Sequence, residues 1–365
     1  MSTTALTPIP SPEVAAERTA PGLLGWAERG LLPDPLLRLG IRQLCGQRLR
    51  EELRKGPAAQ ARRLRRRLAD LRTSPIATHT DAANAQHYEL PPGFFRLCLG
   101  HRLKYSCAYY RRGDETLDEA EEAMLELYAH RAQLADGQDI LELGCGWGSL
   151  SLWLAERYPK ARICAISNSE AQREYIERQC RERGLANLEV LTRDVNRLEL
   201  PSGWFDRCIS IEMFEHLRNY DALLSRIATW LRPQGKLFVH IFAHRTLMYP
   251  FETSGADNWL GRHFFTGGLM PSLVTLLWFQ RDLTLERRWV LDGTHYQRTA
   301  EHWLQNQDRQ REAVLAVLAR AHGTRHAALW LQRWRMFWMA CAETFGYASG
   351  QEWLVGHYRF TKDFG

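Results

Sequence analysis

The chain has 365 residues and a formal net charge of +6, and 45% of its residues are hydrophobic. That length allows one large domain or two ordinary ones with a buried core, and no run of eighteen uncharged apolar residues could form a transmembrane helix. The eight cysteines, at positions 45, 98, 107, 145, 164, 180, 208 and 341, include no C-x-x-C pair and no zinc spacing. We therefore expect free thiols, no metal site and a reducing, cytoplasmic location.

The N-terminal region carries the excess positive charge. Residues 1–75 contain 14 Lys plus Arg against 7 Asp plus Glu, whereas the remaining residues contain 34 against 35. Residues 1–20 are rich in Pro, Ser, Thr and Ala, which predicts disorder, and helical patterns follow over 35–55 and 58–72. Residues 21–75 are therefore predicted to be a basic helical extension.

The second of these helices combines a basic face with an apolar stripe. The arginines are Arg62, Arg63, Arg65, Arg66 and Arg67, and the stripe is Leu64, Leu68 and Leu71. Residues 60–72 could contact a membrane surface, or the arginines could be the solvated face of a helix packed on the main domain. Nucleic acid is a poor candidate, because the arginines lack interleaved aromatic residues and the rest of the chain is nearly neutral.

From Asp139 onward, predicted strands and helices alternate. They are strand 139–143, helix 148–157, strand 161–166, helix 169–183, strand 188–191, strand 205–211, helix 219–231 and strand 235–242. This order is typical of the α/β class, with a doubly wound parallel sheet covered by helices on both faces. We assign residues 76–365 to this domain.

The C-terminal third departs from that alternation. Residues 243–284 are aromatic, contain glycine and are too irregular for a simple crossover, so we interpret them as a substrate cap inserted in the domain. Helices resume near Thr299, and residues 353–361 are predicted to be a final strand. One helical stripe, more typical of a core than of a ligand site, consists of Trp330, Trp334, Phe337, Cys341 and Phe345.

The segment Asp139–Gly148, with the sequence DILELGCGWG, predicts a nucleotide-type cofactor pocket. A buried-strand pattern leads directly into Gly144, Gly146 and Gly148, and an amphipathic helix follows. Glycine lets the backbone adopt positive φ and approach a bound adenosyl group closely where a parallel strand meets a helix. The G-x-G-x-G spacing differs from the dinucleotide pattern G-x-G-x-x-G and resembles the first motif of class I S-adenosylmethionine methyltransferases.

Polar residues follow the next two strands, where a doubly wound sheet binds its ligands. After the second strand, Ser167, Asn168, Ser169 and Gln172 could hydrogen-bond ribose hydroxyls without a charge. After the third, Asp194 could accept a hydrogen bond from an adenine amino group while Val195 covers the ring. Asp194 could equally be a helix N-cap.

Several motifs in the same order resemble the cyclopropane fatty acid synthase superfamily, and within it the coclaurine N-methyltransferase branch. They are Gln86–Glu89 (QHYE), Lys104–Tyr110 (KYSCAYY), Ser167–Gln172, Met213–His216 (MFEH), Phe238–His240 and His295–Tyr296. The resemblance extends from about residue 75 to the C-terminus and implies a Rossmann-like fold that uses S-adenosylmethionine and releases S-adenosylhomocysteine. The cofactor contacts it implies are Tyr105, Ser106, Gly144, Gly146, Asn168, Gln172, Asp194 and Val195.

Glu212, Glu215 and His216 are the candidate catalytic residues after the fourth strand. An alkylamine substrate has a pKa near that of lysine, about 10.4, so exposing its lone pair at neutral pH costs roughly 4 to 5 kcal/mol. As the resemblance suggests, we assign Glu215 and His216 to proton acceptance and Glu212 to holding the ammonium. Two structural alternatives stay open: Glu212 could cap a helix, and His216 could be a packed, hydrogen-bonded histidine.

The acceptor could also be a lipid. In the synthase branch a bicarbonate ion removes a proton, and the resemblance places it at Cys107, Glu215, His240 and Tyr296. Phe242, where the synthases typically have a small aliphatic residue, and Leu90-Pro91-Pro92 in an altered upstream motif favour the amine branch. Cys107 alone would more simply be a small buried residue.

For an amine acceptor, Trp259, Phe264, Phe265 and Tyr296 could face the ammonium through cation–π contacts. A third alternative is a non-catalytic protein that binds S-adenosylmethionine or nucleic acid, which conflicts with the intact Glu212, Glu215 and His216. The sequence does not decide between a monomer and a homodimer.

Overall fold

A computed structural model of the chain describes residues 22–78, 90–255 and 258–362. The predicted disorder of residues 1–20 and the motif Gln86–Glu89 lie outside these ranges. Within them, no helix is long and apolar enough to cross a membrane. All eight cysteines are free thiols, as expected.

The described residues form mixed α/β structure. The strands are β1 (Asp139–Leu143), β2 (Arg162–Ser167), β3 (Leu188–Thr192), β4 (Phe205–Ile211), β5 (Leu231–His244), β6 (Tyr249–Pro250), β7 (Leu269–Met270), β8 (Thr284–Leu291) and β9 (Trp353–Thr361). The helices are α1 (Gly22–Glu28), α2 (Asp34–Leu53), α3 (Gly56–Thr73), α4 (Pro92–Cys98), α5 (Leu117–Ala132), α6 (Ser149–Arg157), α7 (Glu170–Arg183), α8 (Tyr220–Trp230), α9 (Trp259–His263), α10 (Thr294–Arg309), α11 (Arg311–His322) and α12 (Thr324–Gly346).

Seven strands form the central sheet in the order β3-β2-β1-β4-β5-β9-β8. The first five are parallel, which confirms the predicted doubly wound core, and alternate residues of β1 enter different hydrophobic clusters. Ile140 packs with residues of α5 and α6, whereas Leu141 packs with residues of α8. The sheet is therefore covered on both faces, and the carboxyl ends of its parallel strands meet at one edge.

The other edge of the sheet, beyond the predicted alternation, is antiparallel. β9 pairs antiparallel with β5, and β8 pairs antiparallel with β9. β8 was not predicted, because an edge strand with mostly exposed side chains lacks the apolar run that identified the central strands.

The N-terminal extension packs on the rest of the chain. Glu28 at the end of α1 and Arg333 of α12 are both fully buried and joined at 3.0 Å. On α3, Leu68 and Leu71 are buried and Arg67 bonds Glu52 at 2.9 Å. The interpretation of α3 as a packed helix with a solvated face therefore holds for the described residues. The domain boundary near residue 75 stays a prediction.

The stretch between β5 and β8 contains β6, β7, the short helix α9 and a 3₁₀ turn at Thr275–Trp278. β5 continues to His244, two residues beyond the predicted strand end. The C-terminal stripe is confirmed as core at Trp334, Phe337 and Phe345, which are buried on α12.

Candidate active site

A cavity opens at the carboxyl ends of β1, β2, β3 and β4. The residues predicted to contact a cofactor all line it: Tyr105, Ser106, Gly144, Gly146, Asn168, Gln172, Asp194 and Val195. They come from four separate stretches of chain. The contact that each would make with a ligand stays a prediction, but the shared wall agrees with the edge rule for doubly wound sheets.

The glycine turn between β1 and α6 needs glycine for two different reasons. Gly144, Gly146 and Gly148 all have positive φ, at +77°, +54° and +80°. A Cβ on Gly148 would lie 2.7 Å from Ile176 Cγ1 on α7, so this glycine lets two helices pack closely. A Cβ on Gly146 would meet no described atom within 4 Å and would project into open space. Gly146 therefore leaves room for a ligand.

Buried hydrogen-bond donors on the cavity wall have no partner among the described residues. They are Trp147 Nε1, Ser149 Oγ and Gln172 Nε2, all on residues that line the cavity. Such groups are costly to leave unpaired, so we expect a ligand rich in acceptor atoms to complete them. The carboxylate, ribose and adenine of S-adenosylmethionine provide such acceptors, and these residues therefore fit that cofactor.

Two polar residues on this wall are oriented by their neighbours. Ser167 Oγ lies 2.6 Å from Gln172 Oε1, which fixes the amide so that its NH₂ group remains available to a ligand. Asp194 Oδ1 accepts from the Asn196 N–H at 2.9 Å and caps a 3₁₀ turn. The N-cap alternative for Asp194 is therefore realised through one oxygen, on a residue that also lines the cavity.

Two buried charged residues of the cavity wall were not singled out as site residues from the sequence. Lys104 Nζ bonds Ser106 Oγ at 2.5 Å and the Cys107 carbonyl at 2.6 Å, and burial lowers the pKa of Lys104 to about 8. Glu142, at the end of β1, bonds the Ser151 hydroxyl, and burial raises the pKa of Glu142 to about 7. The available signal for Glu142 was a charged residue in a buried-strand pattern, two positions before the first glycine of the motif.

Glu212 accepts hydrogen bonds from three separate segments. Its Oε1 accepts from the Cys107 N–H at 2.9 Å and lies 3.0 Å from His240 Nε2, while its Oε2 accepts from the Tyr296 hydroxyl at 2.6 Å. Burial raises the pKa of Glu212 above its ordinary value, and the nearby Lys104 ammonium opposes that shift. Three donors on one carboxylate favour its ionised form.

The backbone of Glu212 is held in an uncommon conformation. Its φ is +47°, rare for a residue with a side chain, and its N–H donates to the His240 carbonyl at 2.9 Å. The following 3₁₀ turn is preceded by Met213, so Glu212 is not its N-cap. This conformation lets a residue at the end of β4 direct its carboxylate between β5, α10 and the Cys107 segment.

Glu215 lies behind this position and is absent from the cavity lining. It is fully buried, its Oε1 accepts from the Phe242 N–H at 2.7 Å, and its Oε2 has no partner among the described residues. Burial, with the neighbouring Glu212 carboxylate, raises the pKa of Glu215 well above its ordinary value. Of the two carboxyls, Glu215 therefore takes the proton.

His216 lines the cavity and stacks on Phe265, with ring centroids 4.6 Å apart. Burial lowers the pKa of His216 to about 4, so its imidazole is neutral near pH 7. It is thus both a packed histidine and a neutral group beside Glu212.

The four aromatic residues predicted to face a substrate divide into two sets. Phe265 joins His216 and Phe242, and Tyr296 joins Glu212 and stacks on Phe345 at 4.2 Å. Trp259 and Phe264 lie elsewhere, in a buried cluster.

That cluster belongs to the packing between α9, α1 and α12. Phe264 is fully buried and stacks on Phe337 at 4.4 Å, and Trp259 Nε1 donates to Glu28 at 2.9 Å. None of the four aromatic residues lines the cavity, but Phe265 and Tyr296 contact the cavity residues His216 and Glu212, whereas Trp259 and Phe264 contact Glu28 and Phe337. The ammonium contacts of all four stay predictions. The sequence could not separate the two sets, because adjacent Phe264 and Phe265 point to different neighbours.

Cys107 is fully buried, and its thiol donates to the Ala108 carbonyl at 3.2 Å. Burial raises the pKa of Cys107 well above its ordinary value, so it is a neutral small residue whose backbone N–H contributes to the site. Three of the residues expected to hold bicarbonate, Cys107, His240 and Tyr296, thus converge on Glu212.

The chain is similar to known proteins along most of its length. A family model described as mycolic acid cyclopropane synthetase matches residues 77–352. An (S)-coclaurine N-methyltransferase from Thalictrum flavum subsp. glaucum is 38% identical over 344 residues, which are 93% of this chain and 95% of the relative.

Two solved structures agree with these matches. A coclaurine N-methyltransferase bound to N-methylheliamine and S-adenosylhomocysteine is 36% identical, covers 93% of this chain and 99% of its own, and has a TM-score of 0.89. The cyclopropane synthase MmaA2 from Mycobacterium tuberculosis is 25% identical, covers 79% of this chain and all of its own, and has a TM-score of 0.68. The chain therefore belongs to the mycolic acid cyclopropane synthetase family and is an S-adenosylmethionine-dependent methyltransferase.

Proposed function

We propose that this enzyme methylates the nitrogen of a small amine that is cyclic or carries an aromatic ring. The observation that carries the proposal is the Glu212 carboxylate on the cavity wall, held by three donors. Next to it are the Tyr296 ring and the His216 imidazole, which lines the cavity and stacks on Phe265. An ionised carboxylate next to aromatic faces is suited to bind an ammonium group.

The chain's own residues would orient the amine and take its proton. S-adenosylmethionine, when bound, supplies a methyl group on a positively charged sulfur, which leaves as a thioether. The amine nitrogen forms the new bond to the methyl carbon, the carbon–sulfur bond breaks, and its electron pair stays on sulfur. The proton carried by the ammonium form passes to the Glu212 carboxylate, with the neutral His216 imidazole as the second acceptor.

This assignment moves the proton acceptor from Glu215 to Glu212. Glu215 already holds a proton and bonds the Phe242 N–H of β5, so it keeps the strand in place and avoids a second negative charge. Glu212 has the donors and the position on the cavity wall.

Lipid chemistry is less favoured by the same contacts. A bicarbonate ion would need the donors of Cys107, His240 and Tyr296, and all three already bond Glu212. A second anion would have to displace this carboxylate or lie beside it, at a large electrostatic cost in a buried site.

The named relatives support an amine acceptor. The Thalictrum relative is a coclaurine N-methyltransferase, and the structure with the TM-score of 0.89 contains N-methylheliamine. The free cysteines support a cytoplasmic location. Peripheral membrane contact is supported only by the exposed side chains of Arg62, Arg65 and Arg66. The monomer and the homodimer both remain compatible with the proposal.

The test is mass spectrometry of the purified protein with methyl-deuterated S-adenosylmethionine and a choice of acceptors. Tetrahydroisoquinoline represents cyclic amines fused to an aromatic ring, and vesicles of unsaturated phosphatidylglycerol represent lipids. We expect a labelled N-methyl product from the amine and no labelled lipid, with Glu212→Gln as the inactive control. Label in the lipid acyl chains with none in the amine would overturn the proposal.

A further inference from the structure

A series of hydrogen bonds leads from Glu212 through His240 of β5 and His357 of β9 to Arg131 of α5. His240 Nε2 lies 3.0 Å from Glu212 Oε1, and His240 Nδ1 lies 2.9 Å from His357 Nε2. His357 Nδ1 lies 2.7 Å from an Arg131 guanidinium nitrogen. Both histidines are fully buried, and the antiparallel register of β5 and β9 places them directly opposite each other.

The chemistry of arginine fixes the direction of this hydrogen-bond series. A guanidinium only donates, so His357 Nδ1 must accept and, in the neutral ring, the proton of His357 lies on Nε2. That proton can only point to His240 Nδ1, which places the His240 proton on Nε2, facing Glu212. Every N–H in the series is therefore directed toward the carboxylate.

The directed hydrogen bonds require two neutral histidines and a charged Arg131, and the burial of these residues is consistent with those charge states. Burial lowers the pKa of both His240 and His357 well below the ordinary value, so both rings are neutral. Burial also lowers the pKa of Arg131 to about 10, which leaves the guanidinium charged at neutral pH. The Arg131 guanidinium also lies over the Trp289 ring of β8, 5.1 Å from its centroid, which holds it against His357.

We infer that Arg131 is a positioning residue for the proposed amine methylation: through His357 and His240 it orients hydrogen bonds onto Glu212 and keeps that carboxylate ionised. The inference rests on the proposed role of Glu212 as proton acceptor. Without Arg131, His357 could reverse its tautomer. His240 Nδ1, which also lies 2.8 Å from the Tyr128 hydroxyl, could then carry the proton and donate to the Tyr128 oxygen or to His357 Nε2, so that His240 Nε2 would present a lone pair to Glu212. The carboxyl would have to carry a proton to satisfy that nitrogen, and it could no longer accept one.

Other titratable groups lie near the two ends of this hydrogen-bond series, which are Glu212 and Arg131. Around Glu212 and His240 they are Lys104, Cys107, Tyr128, Glu215, His216, Tyr296 and Cys341. Around Arg131 they are Tyr109, Tyr128, Arg287 and, over the same Trp289 ring, Arg359. All of these remain when Arg131 alone is replaced, so a change in the Glu212 titration reports the loss of the Arg131 guanidinium and of the hydrogen bonds that it directs.

The experiment compares the pH dependence of kcat/KM in Arg131→Met, Arg131→Lys and Arg287→Met. Activity requires ionised Glu212, so kcat/KM falls as the pH falls through the pKa of Glu212. Arg131→Met raises that pKa and should move the acid limb upward by about one pH unit, as expected for losing one hydrogen bond to a charged group. Arg131→Lys keeps a donor and should restore most of the profile. Arg287→Met removes an arginine that lies over the same Trp289 ring, and it should leave the pH profile of kcat/KM unchanged.

Two measurements need no methyl transfer. Imidazole ¹⁵N resonances of the unmodified protein should show His357 protonated on Nε2, and the opposite tautomer would overturn the inference even if Arg131→Met does not fold. A ¹³C titration of the Glu212 carboxyl, identified with Glu212→Gln, should show the same upward shift in Arg131→Met. An unchanged titration refutes the inference, whereas a shifted titration in a protein that methylates no amine refutes only the proposed function.

Discussion

The two halves of the active site satisfy their polar groups in opposite ways. At the carboxyl ends of β1, β2 and β3, Trp147, Ser149 and Gln172 present buried donors with no partner among the described residues. On the side of β5, β9 and α10, the Glu212 carboxylate already accepts from Cys107 and Tyr296 and meets His240. The first half is completed by its ligand, whereas the second holds its charge in place before any ligand arrives.

This difference explains why the same fold can keep one cofactor while its acceptor changes. Unpaired donors around a glycine turn select a ligand by its acceptor atoms. A carboxylate held by the protein replaces an anion that would otherwise have to be recruited, and it selects a cationic substrate. Changing the second half therefore need not disturb the first.

The largest expected effect separates the two carboxyls. Glu212→Gln should lower kcat/KM by about 10² to 10⁴ with the affinity for S-adenosylhomocysteine nearly unchanged, because an amide cannot take the amine's proton. Glu215→Gln should lower it by less than about tenfold, because Glu215 already holds its proton and the amide oxygen can accept from Phe242.

Steady-state kinetics and calorimetry on both variants test this comparison. Equal losses in the two variants would return the proton-accepting role to Glu215. Loss of cofactor binding in Glu212→Gln would show that the two halves of the site are not separable.

A smaller effect is expected in the cofactor half from Gly146→Ala, with Gly137→Ala as the matched control. Both glycines have positive φ and open space where a Cβ would lie, so both variants carry the same left-handed strain of about 1 to 2 kcal/mol. Only Gly146 lines the cavity.

We expect the dissociation constant of S-adenosylhomocysteine to rise at least about tenfold in Gly146→Ala and to stay unchanged in Gly137→Ala, because only the first Cβ approaches the ligand. Calorimetric titration gives both constants, and thermal melting checks that the two strains are alike. Equal binding in the two variants would mean that the glycine turn does not approach the cofactor.

The smallest effect compares neighbouring aromatic residues. Phe265→Leu removes the ring stacked on His216 and should raise KM for the amine about threefold to tenfold with little loss of stability. Phe264→Leu changes a fully buried ring that packs on Phe337, and should lower the free energy of unfolding by about 1 to 2 kcal/mol with KM unchanged. Denaturant unfolding and amine saturation curves distinguish them, and a KM effect in Phe264→Leu would contradict the division into two sets.

Local patterns were sufficient to assign the residues of the cofactor half to one cavity wall. The strand Asp139–Leu143 and the glycines after it are contiguous, and the polar residues after β2 and β3 follow from the edge rule for parallel sheets. The motifs that resemble the family added Tyr105 and Ser106, which no periodicity indicated. In the acceptor half the sequence left two points to the tertiary structure. It preferred Glu215 as proton acceptor, whereas Glu212 is the carboxyl that lines the cavity, and it grouped Trp259 and Phe264 with Phe265.

The sequence by itself determined the α/β core, the glycine turn and the family, because hydrophobic periodicity, turn chemistry and short motifs are properties of neighbouring residues. Only the tertiary structure decided which carboxyl faces the cavity and which groups support it. His240 and His357 are 117 residues apart in the chain and meet through antiparallel pairing, and Arg131 reaches them from α5. Directed hydrogen bonds depend on distances between such segments, and no local pattern encodes those distances.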